Sequence, residues 1–246
     1  MKASGKILCL LVALFFVAAS AFGDAPEDYY ANGCAKYAKD DWNGALTDFN
    51  KAIDLKPNFS DAYNARGGVK FHKGDLDGAL ADSNKAIELN SANASAYVGR
   101  GSVKQGKGDL DGALADYNKA IKLKPDAAEA YYNRGSIRQS KGDIDGALAD
   151  CNKTIVLKPD FADAYYNRAG LKEIKGDLNG VLADCNRAID LKPDYAEAYY
   201  YRGWVKQAKK DLDGSHADFK KAIALNPTMR TAIETNGYLT NGTNSN

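Results

Sequence analysis

The sequence has few of the residues from which catalytic and metal sites are usually built. Its 246 residues include only two histidines, His72 and His216, and four cysteines. The two histidines belong to different units of a repeated pattern described below, so they provide neither a metal site nor a catalytic triad. A glycine-rich phosphate-binding loop is also missing. These absences favour a protein that is not an enzyme and has no cofactor or metal.

An excess of charge of one sign is absent as well. Lysine and arginine together number 33, against 32 aspartates and glutamates, which gives a formal net charge of +1. Such a balance produces no global electrostatic attraction for nucleic acid or for an anionic membrane surface. We therefore predict no nucleic-acid partner.

A long apolar run occurs only at the N-terminus, where residues 1–23 differ from the rest of the chain. Two lysines precede an apolar stretch from Ile7 to Ala19, and small residues follow it. This order is typical of a secretory signal peptide, with cleavage after Gly23 or after Ala21. An uncleaved membrane anchor is the alternative, although the stretch is at or just under the roughly 18–20 residues that span a bilayer. We expect an exported protein, in the periplasm, in the cell envelope or secreted, with membrane contact only if the signal stays attached.

A period of 34 residues organises the chain from Pro26 to Met229. The six repeats cover residues 26–59, 60–93, 94–127, 128–161, 162–195 and 196–229. In every repeat the fourth residue is Tyr, the sixteenth and twenty-third are Asp, and the thirtieth is Leu. A fixed period of this length indicates stacked units, each of which buries its apolar face only against its neighbours.

Each repeat is predicted to form two helices. The first covers about positions 2–14, and the Gly of a recurrent Lys-Gly-Asp sequence can end it in a left-handed conformation. The Asp of that sequence can cap the second helix, whose apolar residues at positions 17, 20, 21, 24, 27 and 28 follow a helical spacing. A glycine at position 19, near the start of the second helix, is unfavourable by up to about 1 kcal/mol, and the pattern does not explain it.

The ends of the repeated region differ from its middle. Residues 230–239 restart the first-helix pattern, with Gly237 at position 8, and the pattern then stops. We predict a single capping helix over residues 230–239 and a disordered polar tail over residues 240–246.

Three cysteines remain once residues 1–23 are set aside, and an odd number cannot all pair within one chain. Cys151 and Cys185 occupy equivalent positions in successive second helices, whose axes should lie about 8–10 Å apart. A disulfide needs Cα atoms within about 7 Å, so we predict two small apolar core residues instead. Cys34 is predicted to be exposed and to be the more reactive thiol.

The 34-residue period, a small residue at position 8, Ala at positions 20 and 27, an aromatic at position 24 and Pro at position 32 resemble the tetratricopeptide repeat (TPR) family. Tyr at position 4, Arg at position 7 and the non-aromatic residues Ser83, Cys151 and Cys185 at position 24 depart from the family pattern. The resemblance covers residues 26–229 and implies an all-α fold, a right-handed superhelix of six helical hairpins closed by the capping helix. It also implies that the first helices line a concave face and that the protein binds other proteins or peptides.

Arginines recur at position 7 of repeats two to six, and aspartates recur at position 23 of the same repeats. The pairs are Arg66 with Asp82, Arg100 with Asp116, Arg134 with Asp150, Arg168 with Asp184, and Arg202 with Asp218. The arginines could form a ladder of ligand-binding side chains, or they could bridge the two helices of each hairpin. Their regular co-occurrence favours the structural bridge, because a partly buried Arg needs a carboxylate partner.

The resemblance also implies which positions of the first helices face a ligand, namely 2, 5, 6, 9, 12 and 13. In repeats four to six these positions are rich in aromatic and amide side chains, which supply contact area and hydrogen bonds to an extended peptide. The candidate peptide-binding residues are Tyr132, Asn133, Gln139, Tyr166, Asn167, Glu173, Tyr200, Tyr201, Trp204 and Gln207. The position-5 tyrosines could instead pack against the neighbouring repeat. Trp204 stands where repeats two to five have Gly or Ser.

The charges at these positions suggest the kind of partner. Position 2 is acidic in five repeats and position 5 is never Lys, so the chain lacks the basic clamp with which some family members hold a C-terminal carboxylate. We expect a neutral or basic extended segment of another protein. The alternative is self-association into a structural solenoid. The recurrent Asp-x-Asp-Gly lacks the glutamate of a calcium-binding loop, so no metal is predicted.

Overall fold

A computed structural model describes residues 25–239, in which all regular structure is helical. In chain order the helices are α1 (Pro26–Ala38), α2 (Trp42–Leu55), α3 (Ser60–His72), α4 (Leu76–Leu89), α5 (Ala94–Gly106), α6 (Leu110–Leu123), α7 (Ala128–Ser140), α8 (Ile144–Leu157), α9 (Ala162–Ile174), α10 (Leu178–Leu191), α11 (Ala196–Ala208), α12 (Leu212–Leu225) and α13 (Arg230–Thr235). The predicted all-α fold of helical hairpins is confirmed. The predicted signal peptide and polar tail lie outside the described residues. None of the helices described has both the length and the apolar character that crossing a membrane requires.

The described chain forms two compact units, the first ending at Ile137 and the second beginning at Arg138. In the first unit α1 packs on α2, α3 on α4 and α5 on α6, while α2 also contacts α3 and α4 contacts α5. In the second unit α9 packs on α10 and α11 on α12, while α8 contacts α9 and α10 contacts α11. Within each unit, the two helices of these hairpins therefore pack on each other and adjacent hairpins pack together, as a repeat pattern requires.

In every hairpin the second helix begins directly after an aspartate that caps it. In repeat three the Asp109 carboxylate accepts a hydrogen bond from the Gly112 N–H at 2.9 Å. The same bond has a length of 2.8–3.0 Å in the other five repeats. A Cβ atom on Gly112 would lie only 2.1 Å from the carboxylate oxygen Oδ2 of Asp109. The capping geometry thus explains the glycine at position 19, which the sequence pattern left unexplained.

The turn inside each hairpin requires a left-handed backbone. Gly74, Gly108, Gly142 and Gly176 have φ angles of +75° to +85°, which a residue without a Cβ adopts at little cost. In the first and last repeats Asp40 and Lys210 take this place, with φ angles of +62° and +65°. A side chain in this conformation costs about 1 kcal/mol, so the end repeats have strained turns.

Lys210→Gly is therefore expected to raise the free energy of unfolding by up to about 1 kcal/mol, because it relieves the left-handed strain. Lys209→Gly provides a matched control, since Lys209 ends α11 with a φ angle of −88° and gains nothing from glycine. Urea denaturation followed by far-UV circular dichroism measures both variants. A lower midpoint for Lys210→Gly than for the wild type would contradict the strain argument.

The small residue at position 8 makes room for the side chain at position 24 of the same repeat. A Cβ atom on Gly101 would lie 2.7 Å from the Tyr117 ring, which is fully buried. A Cβ atom on Gly33 would lie 2.6 Å from a ring atom of Phe49. Repeat five has a larger residue at position 8 and a smaller one at position 24, since Ala169 packs in one cluster with the fully buried Cys185. The two positions therefore share a limited volume between the helices of a hairpin.

The chain after repeat six forms a shorter helix than predicted. A 3₁₀ turn over Pro227–Met229 leads into α13, which ends at Thr235 rather than at residue 239. Gly237 has a φ angle of +69° and lies in the turn beyond the helix. Tyr238 then stacks on Phe219, with the ring centres 4.9 Å apart. This turn therefore covers the aromatic at position 24 of repeat six.

The cysteines agree with prediction at two positions and differ at the third. Cys151 and Cys185 are buried thiols without a disulfide, and burial raises the pKa of each to about 12. Cys34, predicted to be exposed and reactive, is fully buried. Tyr30 and Tyr37, which lie about one turn before and after it on α1, are buried in the same apolar cluster. The prediction of a reactive Cys34 is therefore wrong, because large neighbours on the same helix face cover it.

Candidate ligand-binding face

The arginines at position 7 bind buried aspartates in four repeats. Arg100 donates two hydrogen bonds to Asp116, from Nε at 2.9 Å and from Nη2 at 2.7 Å. The other three pairs, Arg66–Asp82, Arg168–Asp184 and Arg202–Asp218, have the same two bonds at 2.6–2.9 Å. The four aspartates are only 3–4% exposed, so these arginines stabilise the hairpins and are not presented to a ligand. Arg134 and Asp150 belong to different compact units, and their bridge stays a prediction.

Each of these arginines also joins its repeat to the preceding one, which the sequence analysis missed. Arg100 Nη1 donates to the side-chain oxygen of Asn84, in the repeat before, at 3.0 Å. The same contact joins Arg66 to Asn50, Arg134 to Asn118, Arg168 to Asn152 and Arg202 to Asn186. The signal was present in the sequence, because Asn occupies position 25 in repeats one to five and is replaced by Lys220 in the last repeat. The last repeat has no following arginine to bind.

Two further contacts complete the environment of each arginine. The Arg100 guanidinium carbon lies 5.4 Å from the centre of the Tyr97 ring, and Lys104 forms an ion pair with Asp116 at 2.8 Å. The invariant Tyr at position 4 therefore supports the arginine through a cation–π contact. A lysine at position 11 gives each of these four aspartates a second cation. In repeat one Lys36 pairs with the buried Asp48 without any arginine. Tyrosine, arginine and two polar partners thus act as one structural unit.

The second compact unit contains an aromatic surface on the first helices of repeats five and six. The Tyr201 ring centre lies 6.0 Å from that of Tyr166, edge to face, and 6.0 Å from that of Trp204, with which it is stacked. The Tyr201 hydroxyl donates a hydrogen bond to the Glu173 carboxylate. All four side chains are partly exposed. We call Tyr166, Glu173, Tyr201 and Trp204 the α9–α11 face.

The bond between Tyr201 and Glu173 has an electrostatic consequence. Burial, and then the adjacent Glu173 carboxylate, raise the pKa of the Tyr201 hydroxyl well above its usual range. The hydroxyl therefore stays protonated and keeps donating to Glu173 at any physiological pH. This bond also links α9 to α11 and holds the carboxylate beside the aromatic rings.

Negative charge on this face is not balanced by basic side chains of its own helices. The ligand-facing positions of α9 and α11 include Asp163, Glu173 and Glu197 but no Lys or Arg. The four basic residues within these helices, Arg168, Lys172, Arg202 and Lys206, form ion pairs with buried aspartates of α10 and α12. Burial, followed by the charges of Glu197 and Glu173 among others, raises the pKa of Tyr166. The ligand-facing positions of α9 and α11 therefore combine aromatic rings with carboxylates that no basic residue of these two helices pairs with.

The remaining candidate residues have different surroundings. Asn133 is only 7% exposed, so the expectation that it faces a ligand is corrected: its side chain is largely enclosed. Tyr200 packs against Phe219, at 5.7 Å between ring centres, and contributes to the cluster that includes Tyr238. The Gln207 side-chain oxygen accepts a hydrogen bond from Ser215 of α12 at 3.3 Å. Tyr132, Gln139 and Asn167 are partly exposed.

The chemistry available to this face is that of binding. Aromatic rings and carboxylates can contact an apolar or cationic group, and the partly exposed Asn167 can hydrogen-bond to a peptide backbone. Within residues 25–239, no group of three or more His, Cys, Asp and Glu side chains is arranged to hold a metal ion.

Comparison with solved structures shows that the fold is widely shared. The chain is 26% identical to MamA, with a TM-score of 0.58, over 67% of this chain and 96% of MamA. It is 23% identical to YrrB, described as a TPR protein with an unusual peptide-binding site, with a TM-score of 0.59 over 77% of this chain and 97% of YrrB. PilF of Pseudomonas aeruginosa is 16% identical, with a TM-score of 0.77 over 87% of this chain and 97% of PilF. No curated protein shows a significant match.

Family models match several of the repeats directly. A model described as TPR repeat matches residues 106–142, and models described as tetratricopeptide repeat match residues 30–95, 128–161 and 196–229. The limits of the last two matches coincide with those predicted for repeats four and six. Together with the helical hairpins, these matches show that the chain belongs to the tetratricopeptide repeat family.

Proposed function

We propose that this protein is a non-enzymatic scaffold that binds an extended segment of another protein on the α9–α11 face. The observation that supports this most is the contact of Tyr201 with both Tyr166 and Trp204, because three partly exposed rings form one continuous surface. Rigid aromatic side chains provide contact area at a low cost in conformational entropy. Protein and peptide binding is also the usual role of TPR scaffolds, and YrrB is described as having a peptide-binding site.

Trp204 is the residue of this surface that the fold itself needs least. Repeats two to five have Gly or Ser at the equivalent position and form the same helical hairpins. Trp204 remains partly exposed although it also packs beside the apolar clusters of repeats five and six. A large aromatic ring at a position where a small residue suffices favours a role in binding.

The charge of the face favours a neutral or basic segment. Asp163, Glu173 and Glu197 would repel an acidic peptide, and a C-terminal carboxylate would find no lysine or arginine at the ligand-facing positions of α9 and α11. Complementary charge raises the association rate and discourages unsuitable partners.

The C-terminal end of the repeats argues against end-to-end self-association. Ile233 is fully buried and Tyr238 stacks on Phe219, so the surface that another hairpin would cover is already occupied by the chain itself. A binding scaffold is therefore a better interpretation than a self-assembling solenoid.

An exported location is proposed from residues 1–23, whose sequence has the order of a signal peptide. The mass of the protein purified from its native host tests this proposal. A chain that lacks the residues up to Ala21 or Gly23 supports export, and a full-length chain in the cytoplasm contradicts it.

Selection from a random peptide library on the immobilised protein tests the binding function. We expect enriched peptides whose affinity falls about tenfold or more in Trp204→Ser, which restores the small residue found in repeats three and four. Tyr166→Ala should have a similar effect. Lys153→Ala, which changes an exposed residue of α8 in the same compact unit, provides the control.

Thermal unfolding of each variant is measured first, so that affinities are compared only between variants that retain the fold. The proposal fails if no peptide is enriched over an empty support. It also fails if the enriched peptides bind Trp204→Ser and Tyr166→Ala as tightly as they bind the wild type.

A further inference from the structure

We infer that the α9–α11 face binds an arginine side chain of the partner segment, stacking the guanidinium on its aromatic rings and pairing it with Glu173. This inference rests on the proposed peptide-binding function and specifies the side chain that the face recognises. It follows from the position of a carboxylate beside partly exposed rings, from the charge of the surroundings and from the hydrogen-bonding capacity that Glu173 retains.

Glu173 is held in place but not saturated. One of its oxygens accepts the Tyr201 hydroxyl hydrogen bond. An ionised carboxylate offers about four lone-pair sites on its two oxygens, so further donors can bind. Because Tyr201 contacts both Tyr166 and Trp204, the same hydrogen bond places the carboxylate beside the aromatic surface.

The surroundings favour a cation over a neutral group. Asp163 and Glu197 add negative charge at the first turns of α9 and α11, where Glu197 is exposed and Asp163 partly exposed. The basic side chains within α9 and α11 form ion pairs with Asp184 and Asp218. A positively charged side chain of a partner therefore meets carboxylates that no cation of these two helices neutralises.

Arginine fits this combination better than lysine. A planar guanidinium stacks on aromatic rings and donates hydrogen bonds in a fork that matches a carboxylate, whereas an ammonium is a compact point charge. The protein already uses this chemistry internally: the Arg168 guanidinium carbon lies 5.5 Å from the Tyr165 ring centre while its nitrogens bind Asp184. The helical hairpin formed by α9 and α10 therefore already holds a tyrosine ring and a carboxylate against one guanidinium.

The test uses three capped peptides, each made of three Gly-Ser-X units, in which X is arginine, citrulline or glutamate. Citrulline has nearly the shape of arginine but no charge. Binding to the full chain is followed by NMR through the indole N–H signal of Trp204, with the signal of Trp42 in repeat one as the internal reference. We expect the arginine peptide to bind at least about fivefold more tightly than the citrulline peptide, and the glutamate peptide not to bind.

Glu173→Gln separates recognition from structural support, because glutamine still accepts the Tyr201 hydrogen bond but has no charge. This variant should lose most of the preference for arginine over citrulline while its melting temperature stays close to that of the wild type. Asp160→Asn, which removes an exposed charge from a loop of the same unit, should keep the preference.

Three results would overturn the inference: no shift of the Trp204 signal with the arginine peptide at millimolar concentration, equal affinities for the arginine and citrulline peptides, or an unchanged preference in Glu173→Gln. The general binding function is judged separately. If library-selected peptides without arginine bind this face and lose affinity in Trp204→Ser, the scaffold function stands and only the arginine site is rejected.

Discussion

Arg100→Ala is expected to lower the free energy of unfolding by about 3 kcal/mol, because it leaves Asp116 buried with only one of its two cationic partners. Asp116 is 3% exposed, accepts two hydrogen bonds from Arg100 and forms an ion pair with Lys104. The substitution also removes the contact with Asn84, so it weakens both the hairpin and its junction with the preceding repeat. Urea denaturation followed by circular dichroism measures the loss.

Two further variants show whether the stranded carboxylate causes this loss. The double variant Arg100→Met with Asp116→Leu should be more stable than Arg100→Ala, because the stranded buried carboxylate is removed and the ammonium of the partly exposed Lys104 can turn to solvent. Lys122→Ala, which changes an exposed lysine of α6, should alter stability by less than about 0.5 kcal/mol. An Arg100→Ala chain as stable as Lys122→Ala would reject the structural role assigned to these arginines.

Gly101→Ala is expected to lower the free energy of unfolding by about 1–2 kcal/mol, although alanine favours a helix more than glycine does. Its Cβ would lie 2.7 Å from the ring of Tyr117, a fully buried residue with little room to move. Gly170→Ala is the matched control, because no heavy atom lies within 4 Å of the added Cβ. That substitution should raise stability by up to about 1 kcal/mol through helix propensity.

A double-mutant cycle tests whether positions 8 and 24 share one volume. Combining Gly101→Ala with Tyr117→Cys recreates in repeat three the pair Ala169 and Cys185 of repeat five. The double variant should lose less stability than the two single variants together, with a coupling of about 1 kcal/mol. Additive losses would show that the two positions do not compete for space.

The secondary structure followed from local patterns. The first helices begin within one residue of the predicted start, as at Ser60 and Ala94. The second helices begin directly after the predicted capping aspartates. The helical period of the apolar residues, the capping side chains and the Gly and Pro breaks act over a few residues only. Six nearly equal copies made each of these signals easy to read.

Some long-range contacts could also be predicted, because the sequence contains six copies of the same site and residues that change together can be recognised by comparing them. The pairing of Arg100 with Asp116 followed from the joint occurrence of Arg at position 7 and Asp at position 23. The contact of Arg100 with Asn84 could have been found in the same way. Asn occupies position 25 in each of the five repeats that are followed by a repeat with Arg at position 7, and only repeat six has Lys there.

For the candidate face, the sequence identified the helix positions but not which side chains meet. It did not indicate that Tyr201 would contact Tyr166, Trp204 and Glu173 together, or that Asn133 would be largely enclosed. Such contacts depend on the distance between neighbouring helices and on the rotamers of long side chains, which position numbers do not specify.

The sequence by itself therefore determined the period, the helical hairpins, the family and the internal pairing of arginine with aspartate, because each of these depends on local signals repeated in phase. Only the tertiary structure decided that Cys34 is buried and that the last helix ends at Thr235, where the chain turns back to cover Phe219. It alone also placed Glu173 beside three aromatic rings. The physical reason is that burial and side-chain contact are set by which helix faces pack together, and packing depends on neighbours that are distant in the chain.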